Sequence, residues 1–278
     1  MGSSPFRLRA AGVLLALSIC GITFASTRGV IHAAGSLSPV LGVFCSAVLA
    51  YFTLATRDLH VETRKVLRCL EEGDLPRARR ELSFLVGRDT AHLDEPEILR
   101  ALVETIAENI SDGVMAPLFY LGLGGPAWAM TYKAVNTLDS MVGYKNEPFR
   151  HIGWASAKLD DAVNFLPARL AGFLIVLASR AAGGSWRDSL RILWKDHGKH
   201  ESPNSAWPEA AMAGALGVQL GGPVFRDGKF DPEPFMGDPV HRLEPGHIRQ
   251  ANALLFAMTI IAATVFALLR KGLLAIYH

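Results

Sequence analysis
The chain has 278 residues, half of them hydrophobic and 19% charged, with a mean hydropathy of +0.24. A soluble domain carries about 25% charged residues, so the composition is that of a membrane protein, and a net charge of +2 gives no footing for nucleic acid. Cys20, Cys45 and Cys69 are widely spaced, form no CxxC pair and argue against a disulfide framework or a structural zinc site; two lie in apolar runs and read as small buried hydrophobes.

The charge deficit is local. Uncharged runs cover residues 10–27, 29–56, 113–132, 210–225 and 250–269. A membrane span needs roughly 20 apolar residues, and 10–27, 36–56 and 250–269 meet that standard. The first run follows Arg7 and Arg9, as in a signal peptide, but it is long for such a segment and a second run follows at once. It is read as a retained first helix with its N-terminus in the cytoplasm by the positive-inside rule. The connection near Arg28–Gly35 would then lie outside, the chain would return through 36–56, and Arg57 would open a cytoplasmic segment.

Residues 57–112 read as helices with apolar faces and charged backs. Val61, Val66, Leu67 and Leu70 form one stripe that stops at Gly73; Leu75, Ala78, Leu82, Leu85 and Val86 form a second that ends at Gly87. Asp94-Glu-Pro-Glu opens a third helix running to about Ser111, with an acidic cap and an early proline. Residues 113–132 are uncharged but interrupted by Gly122, Gly124, Gly125 and Pro126, which predicts a broken or re-entrant pair of segments. Residues 163–183 form a short apolar segment, 206–225 are rich in Ala and Gly and suit close helix contact, and 226–248 read as loop. The expected fold is an all-α polytopic membrane bundle, divided along the chain into 1–56, 57–112 and 113–278, with no strand-like alternation.

Glu104, Glu108 and Asp112 fall at i, i+4 and i+8, placing three carboxylates on one helical face beside Asn109. Taken alone, such a stripe is more often a solvated acidic face; at the edge of an uncharged segment it suits Mg2+ with a bound phosphate. Further polar groups follow: Lys133, Asn136, Asp139 and Lys145, then Asp160, Asp161, Asn164 and Arg169. Taken singly each reads as a cap or an ion pair; acids beside apolar segments need a partner or a metal, and three clusters within about 65 residues suggest one shared polar site. Arg88-Asp89 reads locally as a helix end with an Arg–Asp pair, and Ser202-Pro203-Asn204 as a helix start whose amides suit an anion. There is no HExxH, GxxxxGK[ST] or GxSxG pattern, which argues against a zinc hydrolase, a P-loop enzyme or a serine hydrolase.

VGRDT at 86–90, ETIAENISDGVMAPLFY at 104–120, YKAVNTLDSMVGYKN at 132–146, DDAVNFLPARL at 160–170 and ESPNSAWPEAAMAGALGVQLGG at 201–222 resemble, in order and spacing, the signatures of the cobinamide-phosphate synthase (CbiB/CobD) family. The resemblance implies amide ligation of aminopropanol or its O-phosphate to the free propionate of adenosylcobyric acid, with ATP and Mg2+ as co-reactants. For the chemistry of such a ligation, the residues themselves suggest Glu104, Glu108 and Asp112 for Mg2+–phosphate, and Asp139 with Asp160 or Asp161 as further ligands or base. Arg88, Lys133, Lys145 and Arg169 would hold phosphate or corrinoid groups, with Asp89, Asn109, Asn136, Asn164, Ser202 and Asn204 on substrate. A multi-pass inner-membrane enzyme with its site facing the cytoplasm is expected, in contact with lipid and compatible with a homo-oligomer or with other cobalamin-biosynthesis membrane enzymes.

Two departures stand out. Residues 1–56 carry no Gly-Asp-Pro followed by His-Pro-Val, with which family members commonly begin, and Ser205-Ala206 replaces the usual small-residue-plus-Gly pair. The alternative reading is a non-catalytic or partner-dependent corrinoid scaffold or transporter. A lipid alcohol-phosphotransferase is disfavoured, because its D-x-x-D-G-x-x-A-R is here Asn109-Ile-Ser-Asp112-Gly-Val-Met-Ala116-Pro117.

Overall fold
The computed structural model describes residues 4–144 and 146–276. In chain order the helices are α1 (Pro5–Leu37), α2 (Pro39–Tyr51), α3 (Thr56–Glu71), α4 (Leu75–Ser83) and α5 (Glu95–Asn109). A π-helical turn (Ile110–Met115) leads into α6 (Ala116–Gly124), followed by α7 (Pro126–Val142), α8 (Phe149–Ile152), α9 (Trp154–Ala178), α10 (Trp186–Asp196) and α11 (Ala206–Leu216). Short strands β1 (Leu220–Gly221), β2 (Val224–Arg226), β3 (Lys229–Asp231) and β4 (Phe235–Met236) precede α12 (Pro245–Ile276). Among the described residues, four helical stretches are long and apolar enough to cross a membrane: Pro5–Leu37, Pro39–Glu71, Trp154–Ala182 and Pro245–Gly272. The chain is thus an all-α, multi-pass membrane protein.

The chain forms two compact units, each assembled from separated stretches: 1–54, 116–167 and 262–278 in the first, 55–115 and 168–261 in the second. In the first unit α1 packs on α2, α7 and α8, and α6 packs on α7. The connection expected at Arg28–Gly35 is instead the last part of α1. The chain turns at Ser38, which is extended (φ −160°, ψ 133°) because the ring of Pro39 disfavours helical geometry in the residue before it. Gly35 and Gly42 then face each other, and a Cβ on Gly42 would lie 2.9 Å from the Gly35 Cα. The break expected in 113–132 is at Gly125, whose φ of +78° is open to glycine at little strain. The nine residues of α6 span about 13 Å, well short of a bilayer core.

In α9, Pro167 removes one backbone donor, so the Val163 carbonyl one turn earlier loses its helical partner. The Tyr120 hydroxyl donates to that carbonyl at 2.9 Å. A segment read from sequence as 163–183 begins at Trp154, so Asp160, Asp161 and Asn164 are helical.

In the second unit α3, α4 and α5 pack together, and α11, buried at every residue, lies against α10 and α5. The Ala/Gly composition of α11 permits this: the position of Gly214 is closed by the Asp188 carbonyl and the Ser189 Cα of α10. Helix α10 was not foreseen from sequence; Ser185 caps it, accepting from the Asp188 amide at 3.2 Å. The segment expected as loop, 226–248, contributes to two antiparallel ribbons, β1–β4 and β2–β3. Strands of two or three residues are too short to show alternation, but the Asp227-Gly228 turn between β2 and β3 has positive φ at both residues (50° and 71°), a two-residue hairpin signature.

Helix α5 is started by a capping box: the Asp94 side chain accepts from the Glu97 amide at 2.9 Å, and Glu97 accepts from the Asp94 amide at 2.8 Å. Asp94→Ala is expected to lower stability by about 1 kcal/mol, read as a drop of a few degrees in the unfolding midpoint of detergent-solubilised protein. An unchanged midpoint would show that packing alone sets the start of α5.

Candidate functional site
The second unit holds a cavity of ≈ 240 Å³ lined by Arg88, Glu104, Glu108, His200, Glu209, Arg226 and Glu233, with Leu85–Gly87 and Thr105 completing its wall. Glu104 is the fixed point. It is 5% exposed, yet both oxygens are engaged: Oε2 takes the Arg88 guanidinium at 2.5 Å and Oε1 accepts from the Gly221 amide at 2.6 Å. A buried carboxylate is tolerated when paired and hydrogen-bonded in this way. Arg88 therefore reaches across to α5 and is not paired with its neighbour Asp89. Asp89 instead holds the β2–β3 hairpin, its amide donating to the Phe225 carbonyl and its Oδ2 accepting from the Gly228 amide, both at 2.8 Å.

Glu108, one turn along α5, is exposed and accepts from the Ser205 hydroxyl at 3.4 Å. Ser205 belongs to a second group of predicted residues. The Ser202 hydroxyl accepts from the Asn204 and Ser205 amides, and Asn204 Oδ1 accepts from Arg169 at 3.1 Å. The Arg169 guanidinium lies 5.0 Å over the Trp207 ring. His200 Nδ1 accepts from the Ser202 amide at 2.9 Å, which leaves Nε2 as the N–H of the neutral ring.

The expected third carboxylate, Asp112, sits in the π-helical turn and does not line the cavity. The wider turn changes the angular advance per residue, so i+8 leaves the face shared by Glu104 and Glu108. Asn109 also points elsewhere, donating back to the Thr105 carbonyl at 3.0 Å. The π turn has a local purpose, since the Gly113 carbonyl accepts from the Ala55 amide at 2.9 Å ahead of α3.

Glu209, Arg226, His200 and Glu233 were not singled out from sequence. Arg226 pairs with Asp231 and Glu233. Glu209 is 6% exposed and makes no side-chain hydrogen bond or ion pair among the described residues, although it lines the cavity. Its signal was available: it is the one charged residue between 202 and 225. Burial pushes its carboxyl well above the ordinary 4.5, the charges of Glu104, Glu108 and Glu233 push it further, and Arg88 opposes them.

The remaining predicted residues lie in the first unit. Asn164, 1% exposed, accepts from the Tyr132 hydroxyl at 2.8 Å and donates to Asp160 Oδ2 at 2.9 Å; Asn136 reaches Asp160 Oδ1 at 3.5 Å. Tyr120 stacks on Tyr132 with ring centroids 5.3 Å apart. Asp139 and Asp161 are within electrostatic reach of Asp160, and Asp161 also pairs with Lys158 at 2.8 Å. Lys133 is half-buried on α7 without an ion pair among the described residues. Lys145 lies outside the described residues.

Among the described residues no three His, Cys, Asp or Glu side chains converge with metal-holding geometry. The cavity nevertheless suits a hard cation. Four carboxylates, Glu104, Glu108, Glu209 and Glu233, face two guanidinium groups, Arg88 and Arg226. Mg2+ is usually held by one or two carboxylates plus substrate phosphate, and Glu108 and Glu209 are the acids not committed to an arginine.

The family model described as CobD/Cbib protein matches residues 3–255. Similar proteins include the cobalamin biosynthesis protein CobD of Geobacter metallireducens, 50% identical over 94% of this chain and 83% of its own length. CobD of Clostridium perfringens is 46% identical over 95% and 84%, and CbiB of Salmonella typhi 44% identical over 96% and 83%. No solved structure matches the chain.

Glu209 makes a signed prediction. Above pH 4.5 the unfolded chain has lost this proton while the folded chain keeps it, so stability falls as pH rises from 4.5 toward the raised folded value. Glu209→Gln removes that loss. Its melting temperature is expected to exceed that of the wild type near neutral pH, with the gap closing below 4.5. A wild type that melts higher at neutral pH would mean that Glu209 is ionised and paired.

Proposed function
The chain belongs to the CobD/CbiB family of cobalamin biosynthesis, and from that premise we propose that it is an adenosylcobinamide-phosphate synthase. It joins aminopropanol or its O-phosphate to the free propionate of adenosylcobyric acid in an ATP- and Mg2+-dependent amide ligation. The observation that carries this reading is the cavity in which Arg88 and Arg226 stand among Glu104, Glu108, Glu209 and Glu233, because amide formation from a carboxylate needs both charges. Phosphoryl groups need cations in place, and the incoming ammonium must give up a proton before its nitrogen attacks.

In this reading the propionate oxygen attacks the terminal phosphorus of ATP, ADP leaves, and the acyl phosphate is attacked by the amine with release of phosphate. Bound Mg2+ supplies charge neutralisation for the phosphates, and Glu108 and Glu209 are the residues to hold it. Arg88, fixed by Glu104, and Arg226 hold anionic oxygens in place. A free carboxylate oxygen of Glu108 takes the proton lost by the amine. The Arg169–Asn204–Ser202 group orients the amide- and carboxylate-bearing substrate. The site faces the cytoplasm of an inner-membrane protein, where ATP is available.

The direct test uses nanodisc-purified protein with adenosylcobyric acid, aminopropanol phosphate, ATP and Mg2+, read by mass spectrometry. A new amide-linked corrinoid, dependent on ATP, is expected. Glu108→Gln is expected to reduce turnover by about 100-fold or more with an unchanged melting temperature, since Glu108 is exposed. Full activity in that variant would remove Glu108 from the chemistry. Corrinoid binding without product would instead identify a scaffold.

A further inference from the structure
A second cavity of ≈ 400 Å³ lies between α3 and α12 within the second unit, lined by His60, Arg64, Arg68, Arg249, Asn252 and Phe256. None of these residues belongs to the motifs or to the site described above. Three guanidinium groups meet one carboxylate there: Glu71, also in the lining, pairs with Arg249 at 2.8 Å. Arg64 and Arg68 form no ion pair among the described residues. They stand at i and i+4 on one helix face, an arrangement of like charges that costs stability unless an anion lies between them.

The base of the cavity is ordered. Asn252 Oδ1 is 2.9 Å from His60 Nδ1, while Asn252 Nδ2 donates to the Ile248 carbonyl and to Thr63. This polarity of the amide fixes the proton of His60 on Nδ1 and leaves Nε2 without a protein partner among the described residues. The imidazole packs edge-on against Phe256, with centroids 4.9 Å apart. Thr56 and Thr259 are joined at 3.1 Å at one end of the α3–α12 pair, and Glu71 and Arg249 at the other.

The cavity is graded along that pair. Arg249 immediately precedes the uncharged run 250–269, and α3 follows directly on the uncharged run 29–56. Ala253 and Phe256 lie inside the apolar run, whereas the arginines lie beyond it. A free anion needs only the basic end; an amphiphile fits both. Basic pockets between membrane helices take anionic headgroups.

We propose that the α3–α12 cavity binds a phosphate-bearing anion, the phosphodiester headgroup of an anionic phospholipid, with Arg64, Arg68 and Arg249 on the phosphate and Phe256 and Ala253 along the adjoining carbons. The test measures the melting temperature of the full chain in nanodiscs of phosphatidylcholine alone, of phosphatidylcholine with phosphatidylglycerol, and of phosphatidylcholine with inorganic phosphate in the buffer. The same series is run for R64A/R68A and for R77A/R80A, which removes equal charge outside the cavity. Both pairs are solvent-exposed, so each variant is expected to fold.

Phosphatidylglycerol is expected to raise the midpoint of the wild type and of R77A/R80A, and to leave R64A/R68A unmoved. Native mass spectrometry should show at least tenfold less retained anionic lipid on R64A/R68A. Stabilisation by inorganic phosphate alone, lost in R64A/R68A, would keep the phosphate site and overturn the lipid as its source. No response of the wild type to either anion, or an equal loss in both variants, would overturn the site.

Discussion
A single carboxylate organises the candidate active site. Glu104 is buried, and its two oxygens face in different directions: one holds Arg88, the other the amide of Gly221. Three stretches distant in sequence, the turn after α4, the middle of α5 and the first strand, meet on one functional group. Removing one member of such an arrangement leaves an uncompensated buried charge, which costs about 3–5 kcal/mol where it has been measured. Its neighbours inherit their settings from it. Arg88 is committed in orientation before any substrate arrives, and Glu209, without a side-chain partner among the described residues, feels Glu104 as a repulsive charge.

The membrane architecture was legible because the bilayer imposes a coarse rule, an uncharged run of sufficient length. The runs at 10–27, 36–56 and 250–269 all fall in helical stretches apolar enough to span, and the glycine-proline break after Leu123 falls where the helix stops. What escaped was finer. Nothing in the composition of 28–37 distinguishes a connection from the end of a helix; only the pairing of Ser38 with Pro39 locates the turn. Helix α10 is amphipathic and short, between two stretches with louder signals. The strands are too brief for a period of two to be expressed.

The site was legible in part for a similar reason. A carboxylate stripe at helical spacing put Glu104 and Glu108 on one face, where both line the cavity, but the same spacing does not carry Asp112 there, because a π-helical turn leaves no simple mark in sequence. Arg226 and Glu233 come from a hairpin that was read as loop, and Glu209 from a helix noticed for its small residues and not for its one acid. The resemblance to a family suggested the reaction proposed above, and the geometry offers a set of groups suited to it: cations placed for anionic oxygens, and acids not all committed to them.

The proline in α9 has an evolutionary corollary. Pro167 deprives the Val163 carbonyl of its helical donor, and the Tyr120 hydroxyl replaces it. A carbonyl left bare at membrane depth costs several kcal/mol, so neither residue is free to change by itself. Loss of the hydroxyl is tolerable only in a lineage where position 167 has regained an amide hydrogen. Positions 120 and 167 should therefore drift together across related sequences, as a correlated pair whose link is a single hydrogen bond.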